Sequence, residues 1–155
     1  MSNTISDFGF CIVKDEYFNE FPSPFHMDNK NETRPHFLSI RDNDGIMWLV
    51  PISHNVEKYR NKICDYERRL GRCDLYYITK FAGEDRAFLI GNCIPITQEY
   101  IKKPYTISNI PYVLHSITDR KEILSRLRRY LSLVKNHKLT PSVDILSIAT
   151  SLKNR

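Results

Sequence analysis

Asp42-Asn43-Asp44-Gly45 stands between two short runs, residues 36–41 and 46–52, that are rich in aromatic, β-branched and other apolar side chains. Asp, Asn and Gly supply the positive φ angles and the local side-chain-to-backbone bonds that a tight reversal needs, so the stretch reads as a turn between the arms of a hairpin. An antiparallel pair here constrains the rest, because the remaining strands must then add to its edges or pack on its faces. Residues 8–14, 73–81 and 86–91 have the same character, and Phe81-Ala82-Gly83-Glu84-Asp85 joins the last two as a second hairpin.

Two other stretches carry the helical period. Val56, Tyr59, Ile63, Tyr66 and Leu70 recur at steps of three and four and stop at Gly71, while Ile123, Leu124, Leu127, Tyr130, Leu131 and Val134 mark a second helix with Thr118 or Asp119 as its cap. A third helix is expected after Pro141, capped by Thr140, with Val143, Leu146, Ala149 and Leu152 turned inward. Short hairpin-linked strands with inserted and C-terminal helices predict one α+β domain: a small curled antiparallel sheet or barrel decorated by helices. At 155 residues the chain buries roughly 70% of its unfolded surface in a single core without disulfides. No glycine-rich phosphate loop or βαβ repeat points to a nucleotide-binding sheet.

The net charge of +5 is unevenly spread. Residues 1–53 sum to −4, residues 54–72 to +3, residues 73–117 to zero and residues 118–155 to +6. Positive charge thus sits on the two longer helices, as an electrostatic footprint for a polyanion would, although solvated helix faces give the same count. Cys11, Cys64, Cys73 and Cys93 form no C-x-x-C pair and no close Cys/His spacing, so they read as free thiols, and no metal site or cofactor is expected. The N-terminus lacks a basic region followed by an apolar stretch, and no 18 apolar residues run together, which predicts a cytoplasmic protein without a membrane span.

The densest polar constellation lies where the third strand meets the first basic helix, at Ser53-His54-Asn55-Val56-Glu57-Lys58-Tyr59-Arg60. Free amides at a helix start favour an anion and Lys58 is one turn in, so the junction suits a phosphate. Ser53 or Asn55 equally suits a simple N-cap. Arg34-Pro35-His36 opens the second strand and could lie near this junction. The loop of residues 27–33 is entirely polar after Met27, which predicts an exposed, mobile segment.

Arg34-Pro35-His36-Phe37, Trp48-Leu49-Val50-Pro51-Ile52-Ser53 running into Val56-Glu57-Lys58-Tyr59-Arg60, and Ala87-Phe88-Leu89-Ile90-Gly91-Asn92-Cys93-Ile94-Pro95-Ile96-Thr97 occur in this order. Together they resemble the toxins of type III toxin–antitoxin systems, the ToxN and AbiQ family, nearest to its CptN group. The resemblance spans residues 8–105 by motif, and the C-terminal helices agree in length and pattern. It implies an SH3-like barrel related to the MazF and Kid toxins, and a bacterial, metal-independent endoribonuclease acting on cellular single-stranded RNA. It also implies inhibition by a small pseudoknotted antitoxin RNA within a closed protein–RNA hetero-oligomer.

By the resemblance, Ser53 matches the family's hydroxyl after the strand, Lys58 its lysine and Arg34 a basic residue before the second strand. His54 departs from the two consecutive hydroxyl residues common in the family, and puts the second hydroxyl's role in question. It also offers an imidazole suited to proton transfer. The expected catalytic set is therefore His54 as base or acid, Ser53 positioning the phosphate, and Lys58 with Arg34 stabilising charge. His36, Arg60, Asn92, Thr97, Arg120, Arg126, Arg128 and Arg129 are candidate RNA contacts, and Tyr76, Tyr77, Tyr105 and Tyr112 are candidate stacking rings. The alternative is a non-catalytic RNA-binding barrel that grips RNA by stacking and charge.

Overall fold

The computed structural model describes residues 4–155; the Met1 to Asn3 part of the N-terminal reading lies outside them. In chain order the main elements are β1 (Phe10–Val13), α1 (Asp15–Glu20), β2 (His36–Arg41), β3 (Met47–Ser53), α2 (Val56–Leu70), β4 (Tyr77–Phe81) and β5 (Glu84–Phe88). After these come β6 (Ile94–Ile96), β7 (Ile101–Pro104), β8 (Thr106–Ile107), β9 (Ile110–Pro111), α3 (Ile117–Lys135) and α4 (Ile145–Lys153). Both predicted hairpins form. Asp42 accepts the Asp44 and Ile46 amides on Oδ1, at 2.9 and 3.0 Å, and closes the β2–β3 turn. Ala82 and Gly83, with φ of 52° and 86°, make a two-residue β4–β5 connection, tighter than the five-residue turn expected.

Seven strands form one antiparallel sheet, six of them in the order β4-β5-β3-β2-β1-β7 and the seventh, β6, paired with β3 off this path. β3 is its hub. One edge pairs along β2, while the other is divided, with Met47 to Leu49 bonded to β6 and Ile52 and Ser53 bonded to β5. Such a central strand should be apolar on both faces, and all seven residues of β3 are buried. The division also explains why β6 escaped the sequence reading: Ile94-Pro95-Ile96 is three residues long and contains a proline. β7, α1 and the small β8–β9 hairpin were missed for the same reason of brevity. The sheet is open among the described residues, with β4 and β7 at its ends, so the expected antiparallel sheet with helices is observed and a closed barrel is not.

One side of the core is an aromatic cluster in which Phe10 meets Phe37, Phe81, Phe88 and Tyr112 at centroid separations of 4.9 to 6.1 Å. The helices cover other parts of the sheet through Ile123, Leu127, Tyr130, Leu131 and Val134 of α3 and Ile145, Ile148, Ala149 and Leu152 of α4. Each fully buried large apolar side chain contributes about 1.5–3 kcal/mol. One helix end matches expectation and two helix starts differ from it. α2 stops at Gly71, whose φ of 79° admits the left-handed cap. α3 is capped by Ser116, which accepts the Asp119 amide, and α4 by Asp144 rather than Thr140, after an irregular segment at Pro141.

Candidate active site

The C-terminal end of β3 forms the floor of a cleft of about 80 Å³. Ile52, Ser53 and His54 come from this strand end; Lys30, Thr33, Arg34 and Pro35 from the loop before β2; Phe81 and Arg86 from the β4–β5 hairpin; Tyr105 from the turn after β7. The register explains the meeting. Ile52 pairs with Phe88 and Ser53 with Ala87, so one step further sets His54 across from Arg86. His36 pairs with Pro51, which carries Arg34 and Pro35 past the same strand end.

The loop of residues 27–33 is mostly exposed, as expected, but it is anchored at one buried position. Asn29 is buried, and its side-chain Nδ2 donates to the Val13 carbonyl at 2.7 Å and to Asp15 Oδ1 at 2.8 Å, while its main-chain carbonyl accepts the Arg34 amide at 2.9 Å. Lys30, Asn31 and Glu32 then take φ of 50°, 55° and 66°, three successive left-handed residues without a glycine. Such a turn persists only where its surroundings hold it. Thr33 Oγ1 bonds the Lys30 carbonyl at 2.6 Å, and Glu32 pairs with Lys102 at 2.9 Å and Lys103 at 3.3 Å, so the wall is tied at several points.

Ser53 is 9% exposed, and its Oγ accepts the Asn55 amide at 3.1 Å. That bond uses a lone pair and leaves the hydroxyl proton able to donate into the cleft. Arg34, 14% exposed, donates from Nη1 to the Asp28 carbonyl at 3.1 Å and lies 3.8 Å from Asp28 Oδ1. The His54 imidazole has its pKa lowered by partial burial and then by the charges of Arg86, Lys30 and Arg34, with Glu84 opposing. It is therefore neutral at neutral pH, the form that can accept a proton. Three cations around a neutral imidazole and a hydroxyl can hold an anion and move a proton beside it.

The other candidates fall elsewhere. Lys58 does not line the cleft; its ammonium lies 5.3 Å from the Tyr59 ring on the first turn of α2. His36 is 0% exposed and its pKa is pushed down to about 3 by burial, with Arg34 and His26 adding, so in this structure it is a packed ring out of reach of RNA. Arg60 pairs with Asp85 at 3.6 Å and Glu57 at 3.9 Å. Asn92 lines a small separate cavity beside Tyr130, and Thr97 Oγ1 bonds Glu99 at 3.1 Å.

The arginines of α3 are mostly fasteners. Arg120 bonds the Leu114 carbonyl and covers the Phe8 ring; Arg126 bonds the Cys73 carbonyl and pairs with Glu122 at 3.3 Å; Arg129 clamps Asp74 from Nε and Nη2 at 3.0 and 2.8 Å. Arg128 is exposed and, with Lys135, borders a shallow groove lined by Ile40, Trp48 and Leu131. Among the stacking candidates only Tyr105 reaches the cleft. Tyr77 donates to Asp119 at 2.7 Å, Tyr112 accepts the Ala82 amide at 2.8 Å, and Tyr76 packs 4.9 Å from Tyr59.

Arg86, Lys30, Thr33 and Phe81 were not singled out in the sequence. Arg86 alone carried a legible signal, as the basic residue directly after the predicted hairpin turn; its place beside Ser53 and His54 comes only from the fold. Among the described residues no group of three or more His, Cys, Asp or Glu is placed to hold a metal ion, and no helix is long and apolar enough to cross a membrane. Comparison with protein-family models and with curated proteins gives no match.

Proposed function

We propose that the cleft at the end of β3 is the active site of an endoribonuclease that cuts single-stranded RNA without a metal ion. The observation that carries the reading is the convergence of Arg34, from the loop before β2, with Ser53 and His54, from the end of β3, on one small cleft with Lys30 and Arg86; Arg34 and Ser53 match the toxin motif, and His54 is the departure that supplies an imidazole. His54, its pKa lowered by partial burial and then by its cationic neighbours, takes the proton of the ribose 2′-hydroxyl. Arg34, Lys30 and Arg86 balance the charge that builds on the phosphate, and Ser53 donates a hydrogen bond to one of its oxygens. Attack of the 2′-oxygen on phosphorus breaks the bond to the 5′-oxygen and leaves a 2′,3′-cyclic phosphate. The leaving 5′-oxygen takes its proton from solvent at the open cleft, and His54 gives the proton it took back to solvent, which resets the imidazole.

The open sheet is, on this reading, a variant of the compact barrel of the MazF and Kid toxins, and the protein is the toxin of a type III system held by a pseudoknotted RNA in a closed bacterial complex. Incubating the purified protein with RNA and with DNA of the same sequence, both in EDTA, tests the activity. Fragmented RNA beside intact DNA is expected. RNA that is bound in a salt-sensitive way but left intact supports the non-catalytic binding module instead.

A further inference from the structure

Arg86 holds a position that its own hairpin restrains. Its Nη2 lies 2.7 Å from Glu84 Oε2, and its Nη1 donates to the Asp85 carbonyl at 2.7 Å. The two partners differ in what can displace them. The carbonyl belongs to the backbone, whereas the Glu84 side chain is 72% exposed and swings on rotatable bonds; that of Arg86 is 19% exposed and lines the cleft. The guanidinium is thus fixed at the cleft wall with one edge occupied by a carboxylate that water competes for.

We propose that Glu84 is a gate on the anion site: it occupies Arg86 in the free protein and is displaced when a phosphodiester enters between Arg86, Arg34 and Lys30. This deepens the nuclease reading and rests on it for the identity of the anion. The chemistry favours exchange. Phosphate and carboxylate present similar oxygen pairs to a guanidinium fork, but only a phosphodiester in the cleft gains Lys30 and Arg34 at the same time. A carboxylate as exposed as that of Glu84 holds its partner weakly against water, so it is readily displaced. Glu84 also partly cancels the positive field at His54, which Arg86, Lys30 and Arg34 generate. The entering phosphodiester brings its own negative charge to the same cations and takes over that part, while in the free protein the Glu84 carboxylate makes the cleft a poorer site for weaker competing anions.

The test titrates the full chain with a short single-stranded DNA oligonucleotide, which offers phosphodiesters but no 2′-hydroxyl, and follows the His54 ring by NMR. Glu84→Gln should tighten binding several-fold and lower the His54 titration midpoint in the free protein. Arg86→Gln should weaken binding by about tenfold and raise that midpoint. Glu67→Gln, the same charge change on an exposed position of α2, serves as the control and should leave both quantities near those of the unaltered protein. Unchanged affinity in Glu84→Gln, or equal tightening in Glu84→Gln and Glu67→Gln, overturns the gate whether or not Arg86→Gln folds. Gated DNA binding without RNA cleavage in EDTA keeps the gate and removes the nuclease reading.

Discussion

At the scale of single residues, the two histidines that flank the β3 hub have opposite fates. His54 stands at the mouth of the cleft among three cations, and His36 is sealed in the sheet. For His54 the expected outcome of substitution by alanine is a 10²- to 10⁴-fold loss of cleavage, about the range for a general base, with the fold intact. Lys58→Ala, whose side chain faces Tyr59, should cost less than about tenfold. Because the His54 pKa is lowered, cleavage should hold down to pH values below the ordinary histidine range of about 6.5 before falling. A rate profile measured against pH checks this.

His36 makes the complementary statement about stability. Its pKa is about 3 in the folded protein and about 6.5 in the unfolded chain, so between these values the unfolded state binds the extra proton. The stabilisation is present in full above pH 6.5 and is lost as pH falls through that window, by about 1.4 kcal/mol per unit. His36→Phe fills similar volume without titrating. Urea unfolding at pH 7 and pH 5 should show the unaltered protein losing about 2 kcal/mol more than this variant between the two conditions.

At the scale of elements, the regular pieces were legible and the short ones were not. Residues 36–41 match β2 in full, and the α2 stripe ends at Gly71 as read, because period and caps are local properties of the chain. Tertiary partners decide the rest. Ile94-Pro95-Ile96 becomes a strand only because half an edge of β3 is vacant for it, and Tyr17 explains α1 only once its hydroxyl is seen bonding the Pro95 carbonyl at 2.9 Å. The cleft wall is the same kind of case. Nothing in a polar heptapeptide announces that Asn29 is buried under it.

Two element-scale outcomes follow from these anchors. Asn29→Ala removes the bonds to Val13 and Asp15 and should destabilise the protein by about 1–3 kcal/mol while weakening RNA binding, since Lys30 and Arg34 hang on that turn. Asp119 accepts Tyr77 at 2.7 Å and Thr79 at 2.6 Å, fastening α3 to β4. Asp119→Ala should cost about 2 kcal/mol or more in chemical denaturation and leave RNA affinity per folded molecule unchanged.

At the scale of the whole molecule, charge read along the chain and charge read in space give different maps. The sequence places its largest excess, +6, on residues 118–155 and suggests an RNA-holding helix there. In the fold Arg120, Arg126 and Arg129 are committed to carbonyls and to Asp74, Glu122 and the Phe8 ring, while Lys30, Arg34 and Arg86, each from a less basic stretch, converge. A net count cannot see such pairing, because a fastener and a ligand carry the same charge. What the sequence did convey was the junction itself: Ser53-His54 at a strand end, with Arg34 nearby, is the centre of the cleft.

End-group analysis of the RNA fragments produced in EDTA, comparing the unaltered protein with His54→Ala, is the direct measure of that junction's chemistry. The account predicts fragments ending in 2′,3′-cyclic phosphate and a rate at least about a hundredfold lower in the variant. Fragments ending in a 3′-hydroxyl, undiminished cleavage by His54→Ala, or no cleavage of bound RNA would contradict it.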